Sequence, residues 1–159
     1  MGERAKMINS IHFYRIARRI HALNVPYIPR FIDYLVRLLF SAWVPHKARI
    51  DAGVSLGYGG LGIVIHDDAR IGSGSEIDQG VTIGGNARQS GAPVLGKFVY
   101  VGAGAKILGP ITIGDGVVIG ANAVVLMDIP ANCLVVGVPG RIIRRDIDAS
   151  AFLFHRRKR

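Results

Sequence analysis

Residues 95–119 read LGKFVYVGAGAKILGPITIGDGVVI. An aliphatic residue returns at every sixth position: Leu95, Val101, Ile107, Ile113 and Ile119. Four positions after each stands a second small or branched residue: Val99, Ala105, Ile111, Val117 and Ala123. A helix turning every 3.6 residues would scatter side chains spaced by six around its circumference. A short strand followed by a bend, repeated every six residues, keeps them on one inner side.

The phase extends in both directions. Ile50, Leu56, Ile65, Ile71, Ile77 and Ile83 precede the stretch and Val125 follows it. The steps are six except for nine between Leu56 and Ile65 and twelve between Ile83 and Leu95. The fourth-on positions continue as Val54, Ala69, Ser75, Val81 and Ile129. Three hexads close one triangular coil of roughly 18 residues, and stacked coils bury the aliphatic column inside a prism. The glycine that often follows the aliphatic, as at Gly72, Gly84, Gly96, Gly102, Gly114 and Gly120, is expected to supply a left-handed corner. The extra residues after Leu56 (YGGLG) and after Ile83 (GGNARQSGAPV) are expected to loop out, since a regular hexad would put Gln89 in the core.

A solenoid needs capped ends. Residues 8–23 space Ile8, Ile11, Ile16, Ile20 and Leu23 as an amphipathic helix. Pro26 and Pro29 punctuate, and residues 30–43 form a second, more apolar helix. Its stripe suits either a cap and subunit contact or, with Arg15, Arg18, Arg19, Arg30 and Arg37, a peripheral contact with anionic lipid. GVPGRIIRR leaves the repeat and is expected to lie as a short strand or helix over the last coil. The organisation is therefore a helical cap (1–43), a β-helix (44–139), and a C-terminal cap with a basic tail (140–159).

The chain of 159 residues is long enough for one core, and its formal net charge of +9 is uneven. Residues 1–49 carry nine Lys/Arg against Glu3 and Asp33, whereas residues 50–139 carry four against seven acids. An acidic middle argues against a nucleic-acid surface along the body, and FHRRKR at the end reads as a solvated tail. The run FIDYLVRLLFSAWV (31–44) is short and holds Asp33 and Arg37, so it does not span a bilayer. Residues 1–10 show no apolar signal core. With one cysteine, Cys133, no internal disulfide forms, and a cytoplasmic location is expected.

The segments GIVIH, QGVTIGG, VGAGAKILGPITIG, IGANAVV and VVGVPGRII, over roughly residues 44–143, resemble the left-handed β-helix acyltransferases, and specifically the serine O-acetyltransferase branch. A shorter branch, similar to acetyltransferases encoded in polysaccharide-biosynthesis loci, is the closer resemblance. The fold class is then mainly β: a left-handed parallel β-helix of about four coils with a short N-terminal α-helical cap. The resemblance implies a homotrimer, with acetyl-CoA bound between neighbouring prisms and acetyl passed directly to a hydroxyl. The sequence departs from the longer serine acetyltransferases at three places. Their catalytic Asp-His pair falls at Gly57-Tyr58, the carboxylate that orients it falls near Trp43, and a substrate-binding Arg-His pair falls about Gly91-Ala92. A sugar or polysaccharide-precursor hydroxyl is thus an alternative acceptor to serine, and a non-catalytic CoA-binding or scaffold trimer is a second alternative.

Hydroxyl attack on a thioester calls for a base that titrates near neutrality, commonly histidine, and for backbone N–H groups at the oxyanion. His66 takes the corner position that is glycine in most hexads, where a left-handed backbone would tolerate histidine; it is the candidate base. Asp67 or Asp68 orients its ring, or both are solvated turn carboxylates. Tyr58 stands where the family has histidine. Its phenol, with a pKa of about 10, is a poor base but a serviceable hydrogen-bond donor, or else an aromatic lid. His12, His21 and His155 read as surface or packing residues, and His46 enters the first coil with nothing in its flanks to assign it.

For CoA, the small residues of Gly84, Gly85, Gly102, Ala103, Gly104, Ala105, Gly120 and Ala121 offer backbone partners to the pantetheine arm. Lys106, Arg141 and Arg144 are candidates for its phosphates. Arg88 meets an anionic group of the substrate or is an exposed loop residue. Zinc chemistry on this prism would need about three converging histidines, so no metal is expected. Cys133 reads as a buried small hydrophobe.

Overall fold

The computed structural model describes residues 8–153. Fourteen short strands follow two helices: α1 (Ser10–Ala22) and α2 (Ile28–Phe40), then β1 (Arg49–Ile50), β2 (Ser55–Leu56), β3 (Val64–Ile65), β4 (Arg70–Ile71), β5 (Glu76–Ile77), β6 (Thr82–Gly84) and β7 (Val94–Leu95). The chain continues with β8 (Tyr100–Val101), β9 (Lys106–Leu108), β10 (Thr112–Ile113), β11 (Val118–Ile119), β12 (Val124–Val125), β13 (Leu134–Val136) and β14 (Arg141–Arg144). Every third strand stacks on its counterpart in the next coil, in parallel. A first face is ordered β1-β4-β7-β10, a second β14-β13-β11-β8-β5-β2, and a third β12-β9-β6-β3.

The register puts like on like: Ile50 pairs with Ile71, Ile77 with Val101, and Ile83 with Ile107. The hexad aliphatics from Leu56 to Val125 and all the fourth-on residues named above are buried. This is the parallel solenoid of about four turns expected from the spacing. Full burial of each isoleucine contributes on the order of 1.5–3 kcal/mol. Ladders between coils satisfy the strand amides, which leaves only the two end coils with open edges.

Both ends are closed. At the start, Tyr14 Oη donates to the Ala48 carbonyl at 2.8 Å and accepts from the Ile50 amide, seating α1 on the first coil. At the other end β14 turns back antiparallel on β13. The chain then crosses to bury Leu153 beside Glu76 and Phe98. Residues 154–159, which include His155 and most of the basic tail, lie outside the described residues.

The second helix starts and stops earlier than its sequence pattern suggests. Pro29 lies in its first turn, where a missing N–H costs nothing. Ser41 ends it in the left-handed conformation, and Trp43 already bridges to Val64 of the first coil.

The corners follow a rule different from the one expected. The glycines directly after the aliphatic residues do not have positive φ. At two of the three corners the left-handed residue is the third of the turn: Gly53, Gly74, Phe98, Gly116 and Asn132 at one, Gly80, Gly104 and Asn122 at the next. The first-position glycines are required by stacking instead. A Cβ on Gly102 would sit 2.7 Å from the Ala121 nitrogen, and one on Gly72 would collide with the Gly96 carbonyl. His66 therefore needs no left-handed backbone. The Tyr58 insertion also stays in: Gly59 and Gly60 are buried beneath α1, and a Cβ on Gly60 would meet Ser10 Oγ.

Candidate functional site

His66 follows β3 and opens the turn from the third face to the first. Its backbone N–H donates to Ile83, and its carbonyl accepts from Ala69. The Asp68 N–H donates to His66 Nδ1 at 3.1 Å, so the imidazole folds over its own turn as an Asn or Asp side chain does. That is the local reason a histidine suits this corner. The other edge of the ring lies against Gly85, whose Cβ, were there one, would be 4.0 Å from Nε2. A neutral imidazole carries one proton, so with Nδ1 accepting, the N–H is on Nε2 and faces that side.

The ring borders a cleft of about 480 Å³ shared with Trp43, Lys47, Val64, Asp67 and Gly84. Lys47 Nζ lies 3.7 Å from Asp67 Oδ2, while Asp68 Oδ2 lies 3.8 Å from His66 Nδ1. Of the two carboxylates it is Asp68 that stands beside the ring, and Asp67 faces a lysine. Trp43 and Lys47 carry no motif. They arrive through the bridge to Val64 and the first corner, and only the three-dimensional closure of the coil brings them to His66.

Tyr58 is 70 % exposed in a left-handed turn (φ 48°) and is not among the cleft residues. Arg88 lies in the exposed 85–92 loop, where the Asn86 side chain accepts from the Arg88 and Gln89 amides, and it too is not among them.

The small-residue candidates divide into two groups at opposite edges of the third face. Gly84 and Gly85 sit at the His66 edge. Gly102–Ala105 and Gly120–Ala121 stack at the other, joined by the Asn122 N–H to the Ala103 carbonyl at 2.8 Å. Lys106 lies on the face between them, but its ammonium donates to the Gly80 carbonyl at 2.6 Å. Arg141 follows at the top of the column with one N–H on the Gly140 carbonyl, and Arg144 is exposed at the end of β14. Gln79 accepts from the Gly104 amide through its carbonyl, and its side-chain Oε1 is buried without a hydrogen-bond partner. An orphaned acceptor beside the Gly102–Ala105 corner fits an amide-bearing arm, which would donate to it.

A second histidine is held by a carboxylate. His46 is 7 % exposed; its Nδ1 is 2.6 Å from Asp33 Oδ2 and its N–H donates to Asp33 Oδ1 at 3.0 Å. Burial pushes the Asp33 carboxyl above its usual range, against the opposing pull of the hydrogen bonds from His46. The pair lies under α2, one residue from Lys47 of the cleft, and fastens that helix to the first coil. Cys133 is buried, as its surroundings suggested.

Comparison with known proteins now defines the class. The bacterial transferase hexapeptide family (six repeats) matches residues 92–126, and the hexapeptide repeat of succinyl-transferase matches residues 62–88. The chain carries the hexapeptide repeat of these transferase families in both sequence and fold. It is 46 % identical over 134 residues to a serine acetyltransferase of Synechococcus elongatus, covering 83 % of this chain and 54 % of the relative. The serine acetyltransferase of Brucella abortus in complex with coenzyme A superposes with a TM-score of 0.80 at 32 % identity, over 86 % of this chain and 55 % of that one. That of Neisseria gonorrhoeae in complex with serine gives 0.78 at 32 %, over 85 % and 55 %. In its repeat and its fold the chain is similar to these serine acetyltransferases, and it spans about half the length of these relatives.

Proposed function

We propose that this chain is an acetyl-CoA-dependent O-acetyltransferase that passes acetyl directly to an acceptor hydroxyl, with His66 as general base. The observation that carries the reading is the imidazole edge laid against Gly85 at the mouth of an open cleft. The co-substrate supplies the acetyl thioester, and two fits support its binding: the complex of the Brucella relative with coenzyme A, and the unpartnered Gln79 Oε1 beside the Gly102–Ala105 backbone. An arm crossing the third face reaches both edges. Arg141 and Arg144 at the column's end are assigned to the phosphates in preference to Lys106.

In the step itself the acceptor oxygen bonds to the thioester carbonyl carbon and the carbon–sulfur bond breaks. The hydroxyl proton goes to His66 Nε2 and then to the departing thiolate. Nε2 can accept it only when the ring proton is on Nδ1. The Asp68 carboxylate, 3.8 Å from Nδ1, is placed to take that N–H by a small closure of the turn. The backbone amides of the Gly84-Gly85 pair are the proposed oxyanion donors.

Serine is the first acceptor to test, because the Neisseria relative binds it. A sugar hydroxyl is the second reading, favoured by the Trp43 ring and the Asp67 and Asp68 carboxylates lining one cleft. The assay is thiol release from acetyl-CoA with serine, nucleotide-linked sugars and free sugars. Turnover with one of them is expected. A chain that binds CoA yet turns over none of these hydroxyl acceptors is a scaffold and overturns the reading. The functional unit is proposed to be a homotrimer, supported by Val64, Val94, Leu126 and Met127 exposed along the prism. The outward stripe of α2, with Phe31 and Leu38, is assigned to subunit contact rather than to lipid. Sedimentation at three chain masses checks both. A cytoplasmic location suits acetyl-CoA chemistry.

A further inference from the structure

Four arginines line a groove between α1 and β1 that shares no lining residue with the His66 cleft. Arg15, Arg18 and Arg19 come from α1 and Arg49 from β1, around a space of about 380 Å³; Asp51 is the one carboxylate that lines it. The grouping is built by the fold. Tyr14 seats α1 with both hydrogen bonds of its hydroxyl, and Arg18 Nη1 donates to the His46 and Lys47 carbonyls at 3.1 and 3.3 Å. Arg15, Arg19 and Arg49 make no ion pair among the described residues. Elsewhere in the same coil a cation does meet an acid, as Lys47 meets Asp67. Arg70 extends the charge, standing next to Arg49 in register on the first face.

Four like charges around one cleft repel one another unless water screens them or an anion neutralises them. The groove is too large for a single water, whose share of liquid volume is about 30 Å³. Guanidinium forks match the oxygens of tetrahedral anions in pairs, and several forks around one pocket suit more than one negative charge. Burial raises the Tyr14 phenol above its ordinary value, so no tyrosinate competes at the floor.

We infer that the α1–β1 groove is a binding site for a phosphate-bearing anion, separate from the candidate acyl-transfer cleft. Two sources share this chemistry: a soluble phosphate ester or diphosphate, and a phosphorylated lipid headgroup. The site is independent of the acetyltransferase reading, and its test reads binding alone.

Isothermal titration with inorganic pyrophosphate at physiological ionic strength is the first arm. One saturable site per chain is expected, weakened at least ~10-fold in the Arg15→Gln/Arg19→Gln/Arg49→Gln variant, as loss of several charge-assisted hydrogen bonds requires. Arg37→Gln, on the opposite helix, is expected to leave it unchanged. The second arm is co-sedimentation with phosphatidylcholine vesicles, with and without phosphatidic acid. Binding of pyrophosphate without vesicle binding identifies a soluble ligand. Retention on phosphatidic acid vesicles, lost in the triple variant, identifies a headgroup. A triple variant that melts cooperatively like wild type and binds pyrophosphate equally well overturns the site. So does the absence of saturable binding in both arms, or an equal loss in Arg37→Gln.

Discussion

Asp33 and His46 are joined twice: one carboxylate oxygen accepts the His46 backbone N–H at 3.0 Å and the other lies 2.6 Å from its Nδ1. Both residues are buried, so α2 is tied to the first coil by a polar clasp inside an apolar contact. Replacing Asp33 by Ala leaves a buried imidazole and a buried amide without partners. The expected loss is about 3–5 kcal/mol, as for one partner removed from a buried pair. Asp33→Asn keeps an acceptor for the amide and a donor for Nδ1 and is expected to retain more than half of that stability. Urea unfolding of the three proteins measures both numbers. Equal stability of wild type and Asp33→Ala would show the clasp to be idle.

The same carboxylate makes stability depend on pH in an unusual direction. Burial raises the folded pKa of Asp33 above its value in the unfolded chain, while His46 opposes the shift and the nearby Asp67 adds to it. The folded state therefore holds this proton more tightly than the unfolded state. The Asp33 contribution is fully present below the ordinary carboxylate pKa and is lost as pH rises through the raised folded value. Wild type is expected to lose stability relative to Asp33→Asn across that window, from about pH 4 upward, and to hold level above it. Paired urea titrations at half-unit steps test the sign. A wild type that gains stability relative to Asp33→Asn as pH rises would reverse it.

Gly102 separates stacking from backbone strain. Its φ is not positive, so alanine is conformationally acceptable there, yet the added Cβ would stand 2.7 Å from the Ala121 nitrogen of the coil above. Gly102→Ala is expected to destabilise by about 1–3 kcal/mol, the usual cost of overpacking. Gly62→Ala reports the other mechanism: its φ is +67° with the nearest atom 3.5 Å away, so its loss arises from the left-handed backbone alone. Thermal melts of both variants, with crystal or NMR comparison of the coil spacing, distinguish a widened stack from an unchanged one.

The architecture was legible because Ile65, Ile77, Ile107 and their equivalents repeat one physical requirement, burial of an aliphatic residue once per face. The reason for the glycines was not. Period and composition are the same whether Gly102 serves a left-handed turn or a close approach of backbones, and only the neighbouring coil distinguishes them. At the site, His66 stood out because it interrupts that glycine series. Trp43, Lys47 and Gln79 did not, since each takes its place through closure of the coil and not through a local pattern. The Asp33–His46 pair was hidden for the same reason: thirteen residues and a helix end separate its members, and neither has a motif.

The choice between Asp67 and Asp68 can be made at the His66 ring. Asp67 faces Lys47, while Asp68 contributes an N–H to Nδ1 at 3.1 Å and a carboxylate 3.8 Å from the same atom. With the amide bonded, Nε2 carries the proton and the ring is a donor. With Nδ1–H turned to the carboxylate, Nε2 is a base. Asp68→Asn keeps the amide and removes the negative charge, so it is expected to favour the donor form and lower kcat about 10-fold or more. The KM for acetyl-CoA should stay within about twofold, because neither form of the ring contributes uniform binding. His66→Ala should lower kcat by at least ~10²-fold with CoA affinity unchanged. Full activity in Asp68→Asn together with a large loss in His66→Ala would assign His66 the donor role. Full activity in both would remove the ring from the reaction.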